Sequence, residues 1–230
     1  MMPDIFSSFD QNIFFLDSKI WLLILIFPLF MNSMLWISLS SMKWLTMSIF
    51  LFIYNQISLT LMKYMKSMNF IMTSLFMMLL LLNLSGLIPY IFSISSHLIF
   101  SLTLSLPIWM SLILSSFKMN KKETIAHLLP SGAPEWLNPF LVMIETISIL
   151  VRPLTLSFRL AANMSAGHII LILISTYLAK SMMNLSYSFF FLYFIQMMYF
   201  LFEIAISLIQ AYIFCLLLSL YSNDHSFHKI

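Results

Sequence analysis

Between Ser67 and Phe117 the chain carries no Asp, Glu, Lys or Arg. A helix needs about 20 apolar residues to cross the hydrocarbon core of a bilayer, so this run is too long for one crossing and long enough for two. Gly86 and Pro89, followed by a serine-rich stretch to Ser96, supply the turn chemistry between them. The run therefore reads as a helical hairpin, 68–88 and 97–117. The whole chain agrees with that reading: it is 61% hydrophobic and 8% charged, against roughly 25% charged in an ordinary soluble domain. An all-α polytopic membrane protein is expected.

Charges cut the remainder into further segments. Residues 20–42, between Lys19 and Lys43, make a first span with Trp21 and Trp36 as interfacial anchors. Residues 118–138 hold Lys118, Lys121, Lys122 and Glu123, then Pro130, Gly132 and Pro134, with Pro139 just beyond, which predicts an interfacial loop. Two long apolar segments follow, 139–179 and 185–222. Each would be on the order of 60 Å long as a straight helix, about twice the core thickness, so they are expected to tilt steeply, bend or emerge. Pro153 is the expected bend in the first. The segment 44–62 is long enough to span, yet it carries Thr46, Ser48, Asn55, Gln56, Ser58 and Thr60 and could equally lie in the interface. If it lies flat there are five spans, with Lys43, Lys63, Lys66, Lys118, Lys121, Lys122 and Lys229 on one side against Lys19 and Lys180 on the other. If it crosses there are six, and Lys19 and Lys43 merely exchange sides. The positive-inside rule does not choose between the two.

Several function classes are excluded. The basic residues are scattered, so nucleic-acid binding has no electrostatic footprint. The three glycines, Gly86, Gly132 and Gly167, cannot build a phosphate cradle, and no nucleotide site is expected. Cys215, the one cysteine, reads as a small buried hydrophobe, and no metal or other cofactor is expected. Asp4, Asp10 and Asp17 give the N-terminus the wrong charge order for a secretory or transit peptide. No two histidines share a hydrophobic span, which speaks against a bis-histidine haem protein.

The informative residues are the polar ones that the long segments retain, because a charge in the bilayer costs about 2.5 to 3.5 kcal/mol on insertion scales. Glu145, Arg152 and Arg159 stand seven apart, nearly on one helical face, and Asn163 joins them four residues on. In the last segment Gln196, Glu203 and Gln210 repeat the seven-residue step. Two such stripes facing each other would form a polar seam in an apolar protein. Arg152 is near enough to the helix entrance to snorkel to the surface, and Glu145 near enough to sit in the headgroup zone. His168 could be a buried histidine bonded to a carbonyl, and Asn163 and Gln210 are amides of a kind that also serve helix packing. Arg159 and Glu203 stand far from the ends of their segments, where snorkelling is difficult, so a purely structural role is the weaker alternative for each.

The runs Glu145–Thr146–Ile147–Ser148, Arg152–Pro153, Leu156 to Asn163 and Ala166–Gly167–His168 closely resemble the signature of subunit a of the F-type ATP synthase, in its animal mitochondrial form. Supporting motifs are Asn83 to Pro89 at the hairpin turn, Ala126 to Pro130 with Gly132 and Pro134, and Glu203 with Ile209 to Tyr212. Ala133 departs from the pattern, where many members carry threonine. The resemblance implies that 44–66 is an amphipathic helix at the matrix surface, giving about five transmembrane helices, the last two steeply tilted. It implies a location in the mitochondrial inner membrane with the N-terminus toward the intermembrane space and the C-terminus toward the matrix. The implied partners are a ring of c-subunit proteolipids, other membrane-sector and peripheral-stalk subunits, and lipids. By the same resemblance Arg159 faces the ring carboxylates, and His168, Glu203 and Asn163 belong to the inlet half-channel. Gln210 packs close to the arginine and Glu145 serves the outlet, with Arg152 and Gln196 as weaker candidates on the same stripes. The protein would not be catalytic by itself.

The competing reading is an independent proton or cation secondary transporter using the same seam. Against it stand the missing internal repeat, the shortage of glycine and proline for broken helices, and the ordered family signature.

Overall fold

The computed structural model describes residues 9, 41–60, 65, 67–88, 93–126, 128–129, 135–184 and 187–222. The expected first span, 20–42, lies outside these residues except for its last two, and so does most of the loop around Pro130 to Pro134. All regular structure among the described residues is helical: α1 (Ser41–Ser58), α2 (Met68–Gly86), α3 (Leu98–Met119), α4 (Lys121–Ala126), α5 (Asn138–Met183) and α6 (Ser188–Tyr221), with 3₁₀ turns at Ile94–Ser96 and Glu135–Leu137.

Four of these helices, α2, α3, α5 and α6, are long and apolar enough to cross a membrane. The two long segments are single helices of 46 and 34 residues, roughly 70 and 50 Å at 1.5 Å per residue, so both exceed the hydrocarbon thickness as expected. Pro139 stands in the first turn of α5, where its missing N–H costs nothing. The helix then runs unbroken through Pro153. The hairpin forms at the expected turn, α2 closing at Gly86.

Three boundaries differ from expectation. α1 ends at Ser58, short of residue 66; the hydroxyls of Ser58 and Thr60 donate to the carbonyls of Asn55 and Ile57 and take up acceptors at that end. α4 occupies part of the expected loop, because Asn120 precedes it and its amide bonds the Glu123 carboxylate at 3.0 Å, an arrangement that favours a helix start. α5 continues to Met183, with Lys180 complementing the negative end of the helix dipole in its last turn.

α1, α2, α5 and α6 meet in one core. Met72, Phe76, Leu79 and Leu80 of α2, Leu156 and Leu160 of α5, and Ala211, Phe214, Cys215 and Leu218 of α6 form one buried cluster, which Ile53 and Ile57 of α1 complete. Small and hydroxylated residues line the tightest approaches: Thr73, Ser101, Ser105, Ser157, Ser207 and Ala211 are all essentially inaccessible. Lipid tails are as apolar as leucine, so helices in a membrane gain from close backbone approach rather than from apolar burial, and small residues permit it. Most of these hydroxyls bond the carbonyl three residues earlier in their own helix, which removes the cost of an unpaired donor. Ser105 is different, reaching across from α3 to the Pro153 carbonyl of α5 at 3.3 Å. The outer faces of α5 and α6 expose Phe140, Ile147, Phe158, Phe190, Phe194 and Phe202, a surface suited to lipid rather than water.

Candidate functional site

α5 and α6 run antiparallel, and three polar contacts set their register. Asn163 Nδ2 on α5 donates to Gln210 Oε1 on α6 at 3.0 Å. One turn toward the C-terminal end of α5, Gly167 lies against the Glu203 carboxylate: a β-carbon on Gly167 would overlap its atoms. In the other direction the Arg152 guanidinium sits over the Tyr221 ring, 5.0 Å from its centroid. The polar seam expected from the two seven-residue stripes is therefore present at Asn163–Gln210, and it extends to Glu203 through a glycine rather than through another polar residue.

Glu203 is 2% exposed and Gln210 3%, deep burial for polar groups, which such residues tolerate only when hydrogen-bonded. Gln210 has Asn163; Glu203 has Tyr199 four residues earlier on the same face of α6. Gln196, two turns before Glu203, is half-buried on the same helix. From α2, the Asn83 amide reaches the Ser207 carbonyl at 3.4 Å, one turn from Glu203.

His168 follows Gly167, but its imidazole lies toward the hairpin turn. Its Nε2 is 3.8 Å from where a Gly86 β-carbon would be, and its ring meets Phe9 edge-on at 6.4 Å. That Nε2 is buried with no hydrogen-bond partner among the described residues, so it retains the capacity to bind a water or a proton donor.

Arg159 stands on the exposed side of α5, roughly a quarter turn around the helix from the face formed by Leu156, Leu160, Met164 and Gly167 that packs inward. Among the described residues no carboxylate pairs with it; the ion pair formed is Glu145–Arg152 at 3.7 Å. Glu145 and Arg152 are both partly exposed, on the far side of Arg159 from Glu203. Along α5 the order is Glu145, Arg152, Arg159, Asn163 and Gly167. Arg159 thus separates a polar group about 20 Å away on one side from another about 12 Å away on the other.

The residues singled out in the sequence fall into three sets. Asn163, Gln210 and Glu203 come together in the seam, with His168 one residue from Gly167 but turned to the hairpin. Glu145 and Arg152 form a separate pair, and Arg159 faces outward. Sequence reasoning missed the role of Gly167, which was detectable as one of three glycines in a chain that otherwise avoids them.

Comparison with known proteins matches residues 15–223 to the family described as ATP synthase A chain. The chain is 42% identical over 227 residues to the ATP synthase F(0) complex subunit a of Rhopalosiphum padi, covering 97% of this chain and 100% of the relative. It is 47% identical over 155 residues to the ATP synthase subunit a of Albinaria caerulea, covering 67% and 72%. To the Drosophila melanogaster ATP synthase subunit a it is 38% identical over 234 residues, covering 97% and 99%.

Proposed function

The chain belongs to the ATP synthase A chain family, and from that premise we propose that Arg159 stands against a ring of small proteolipid subunits, with the polar groups on its two sides forming two offset half-channels. The protein is the proton-translocating stator subunit of the ATP synthase membrane sector and not a catalytic subunit. In the proposed assignment His168, Glu203 and Asn163 serve the inlet, Gln210 packs close to Arg159, and Glu145 serves the outlet. Arg152 pairs with Glu145, and Gln196 extends the inlet stripe along α6. The N-terminus faces the intermembrane space and the C-terminus the matrix of a mitochondrion, with α1 along the matrix surface and other membrane-sector and peripheral-stalk subunits holding the chain still.

The mechanism follows from charge. A guanidinium keeps its proton at any working pH, so Arg159 cannot relay protons by ionising and acts as a permanent positive charge at one depth. A ring carboxylate drawn into that field is favoured in its ionised form and releases its proton toward Glu145. Past the arginine it meets the inlet groups, is protonated, and becomes neutral enough to turn into lipid. Turning the ring is then the only continuous route. The membrane field supplies roughly 2.3 kcal/mol per charge per 100 mV, all of which a direct leak from Glu203 to Glu145 would dissipate. Arg159 bars that leak as well as attracting the ring.

The observation that carries this reading is the separation of the Glu203 and Glu145 groups by an outward-facing Arg159 that has no counter-charge among the described residues. The test is Arg159→Ala in the assembled complex. ATP synthesis is expected to be abolished while the complex still assembles, and synthesis at the parent rate would refute the assignment.

A further inference from the structure

The hairpin turn between α2 and α3 brings serine hydroxyls toward His168. Gly86 closes α2, and a β-carbon there would stand 3.4 Å from Ser93 Cβ and 3.8 Å from His168 Nε2. Both are ordinary contact distances, so Ser93 and His168 border one space beside Gly86 that a methyl group would fill without displacing either. Room for a methyl group is also room for a water, which needs about two to four polar partners. The Ser93 hydroxyl donates to Ser96 Oγ at 3.1 Å, and the Ser96 hydroxyl donates to the Ser93 carbonyl at 2.6 Å. Ser93 Oγ therefore keeps a lone pair with which to accept another bond. Ser96 is half-buried and Ser93 buried, so the pair steps inward from the surface of the turn to the space at His168. The Ile94–Ser96 turn packs on both α2 and α5. His168 Nε2, Ser95 Oγ in the turn and Asn83 Oδ1, three residues before Gly86, are each buried with no hydrogen-bond partner among the described residues. Buried polar atoms of that kind are ordinarily satisfied by bound water.

We propose that the space beside Gly86 holds a water that delivers protons to His168, with Gly86 keeping the space open and Ser93 the positioning residue that anchors the water. This rests on the reading of His168 as an inlet group. The side of the membrane agrees, because α2 follows α1 and its 19 residues make roughly 30 Å, one crossing. With α1 at the matrix surface, the hairpin turn lies on the intermembrane-space side, from which protons enter during synthesis. A hydronium arriving past Ser96 gives a proton to the water as the water gives one to Nε2, the ring's own proton being on Nδ1. One O–H bond breaks in the hydronium and one in the water, while an O–H bond forms on the water and an N–H bond on the ring. The products are an imidazolium and two waters. Ser93 keeps its proton throughout, accepting from the water and donating to Ser96.

The test uses the whole ATP synthase complex in sealed vesicles with its catalytic head outside and the lumen acidified, so that protons enter by the inlet in the direction of synthesis. ATP made per assembled complex is measured. Gly86→Ala fills the space at ordinary contact distance and is expected to slow synthesis between about tenfold and a hundredfold, the loss of one hydrogen bond to a charged group. Gly86→Ser adds the same carbon with a hydroxyl one bond beyond it, within hydrogen-bond reach of Nε2, and is expected to be faster than Gly86→Ala. A merely structural role for Gly86 predicts the reverse order, since the larger side chain would do more harm. Ser93→Ala adds no atom and is expected to slow synthesis about threefold to tenfold, the loss of one neutral hydrogen bond. Synthesis at the parent rate in Gly86→Ala, or a Gly86→Ser variant no faster than Gly86→Ala, would each overturn the proposal. If neither Gly86 variant assembles, Ser93→Ala decides: the parent rate overturns the proposal and the expected loss supports it. His168→Leu run alongside separates the two levels. If it abolishes synthesis while Gly86→Ala and Ser93→Ala run at the parent rate, only the role of the water fails; if it makes ATP at the parent rate, the reading of His168 as an inlet group itself fails.

Discussion

Gly167→Ala isolates the fit between α5 and Glu203, the acid proposed for the inlet. A β-carbon there would stand 2.5 Å from Glu203 Cδ, and ordinary contact begins at 3.4 Å. Glu203 must therefore withdraw by roughly 1 Å, a displacement that costs on the order of a hundredfold when groups have to meet in a set geometry. The helix itself gains, since alanine is favoured over glycine in a helix interior by about 0.5 to 1 kcal/mol. The carboxylate is the end of a flexible side chain, so it moves before the backbone does. The variant is thus expected to assemble to normal levels with its thermal stability retained, yet to lose most proton transport. Native gel electrophoresis stained for ATP hydrolysis measures the first, and ATP-driven proton uptake by vesicles the second. Adding Glu203→Asp, which shortens the side chain by one methylene, should recover part of the rate. Parent-level transport in Gly167→Ala would refute the notch as a determinant of carboxylate position. Failure to assemble would refute the argument that the side chain yields first.

Asn163→Leu leaves the buried Gln210 oxygen without its donor and is expected to cost about 1 to 3 kcal/mol of stability. Asn163→Leu with Gln210→Leu should cost less than the sum of the singles in thermal unfolding of the solubilised complex; strict additivity would show that the 3.0 Å bond carries no coupling. Arg152→Gln removes a partly exposed ion pair and a cation–π contact, each worth about 1 kcal/mol or less. Proton transport is expected to stay within a factor of a few of the parent, and its complete loss would move Arg152 from the packing of α5 on α6 into the proton path.

The two polar stripes were readable because seven residues make almost two helical turns, so Glu145, Arg152 and Arg159, or Gln196, Glu203 and Gln210, had to share a face whatever the helices packed against. Stripes do not specify a register. That Asn163 meets Gln210 rather than Glu203, and that Glu203 meets Gly167, depends on how far one helix slides along the other, which small residues at the contact decide. The short helix after Asn120 was hidden by the Lys-rich composition around it, although the Asn120–Glu123 spacing carried its signal.

By itself the sequence determines that this chain crosses membranes as helices, because a run without charges has nowhere else to satisfy its backbone. It also marks Arg159 and Glu203 as the leading candidates for function, because each carries a charge far from the ends of its segment, where charge is costly in lipid. Only the tertiary structure decides which of those costly groups is covered and which is offered outward. Glu203 is buried and Arg159 exposed because antiparallel packing turns the inner face of α6 toward Gly167 while the same packing leaves the Arg159 side of α5 uncovered. Burial is a property of two surfaces meeting, and no pattern along one chain segment states what the other segment brings to it.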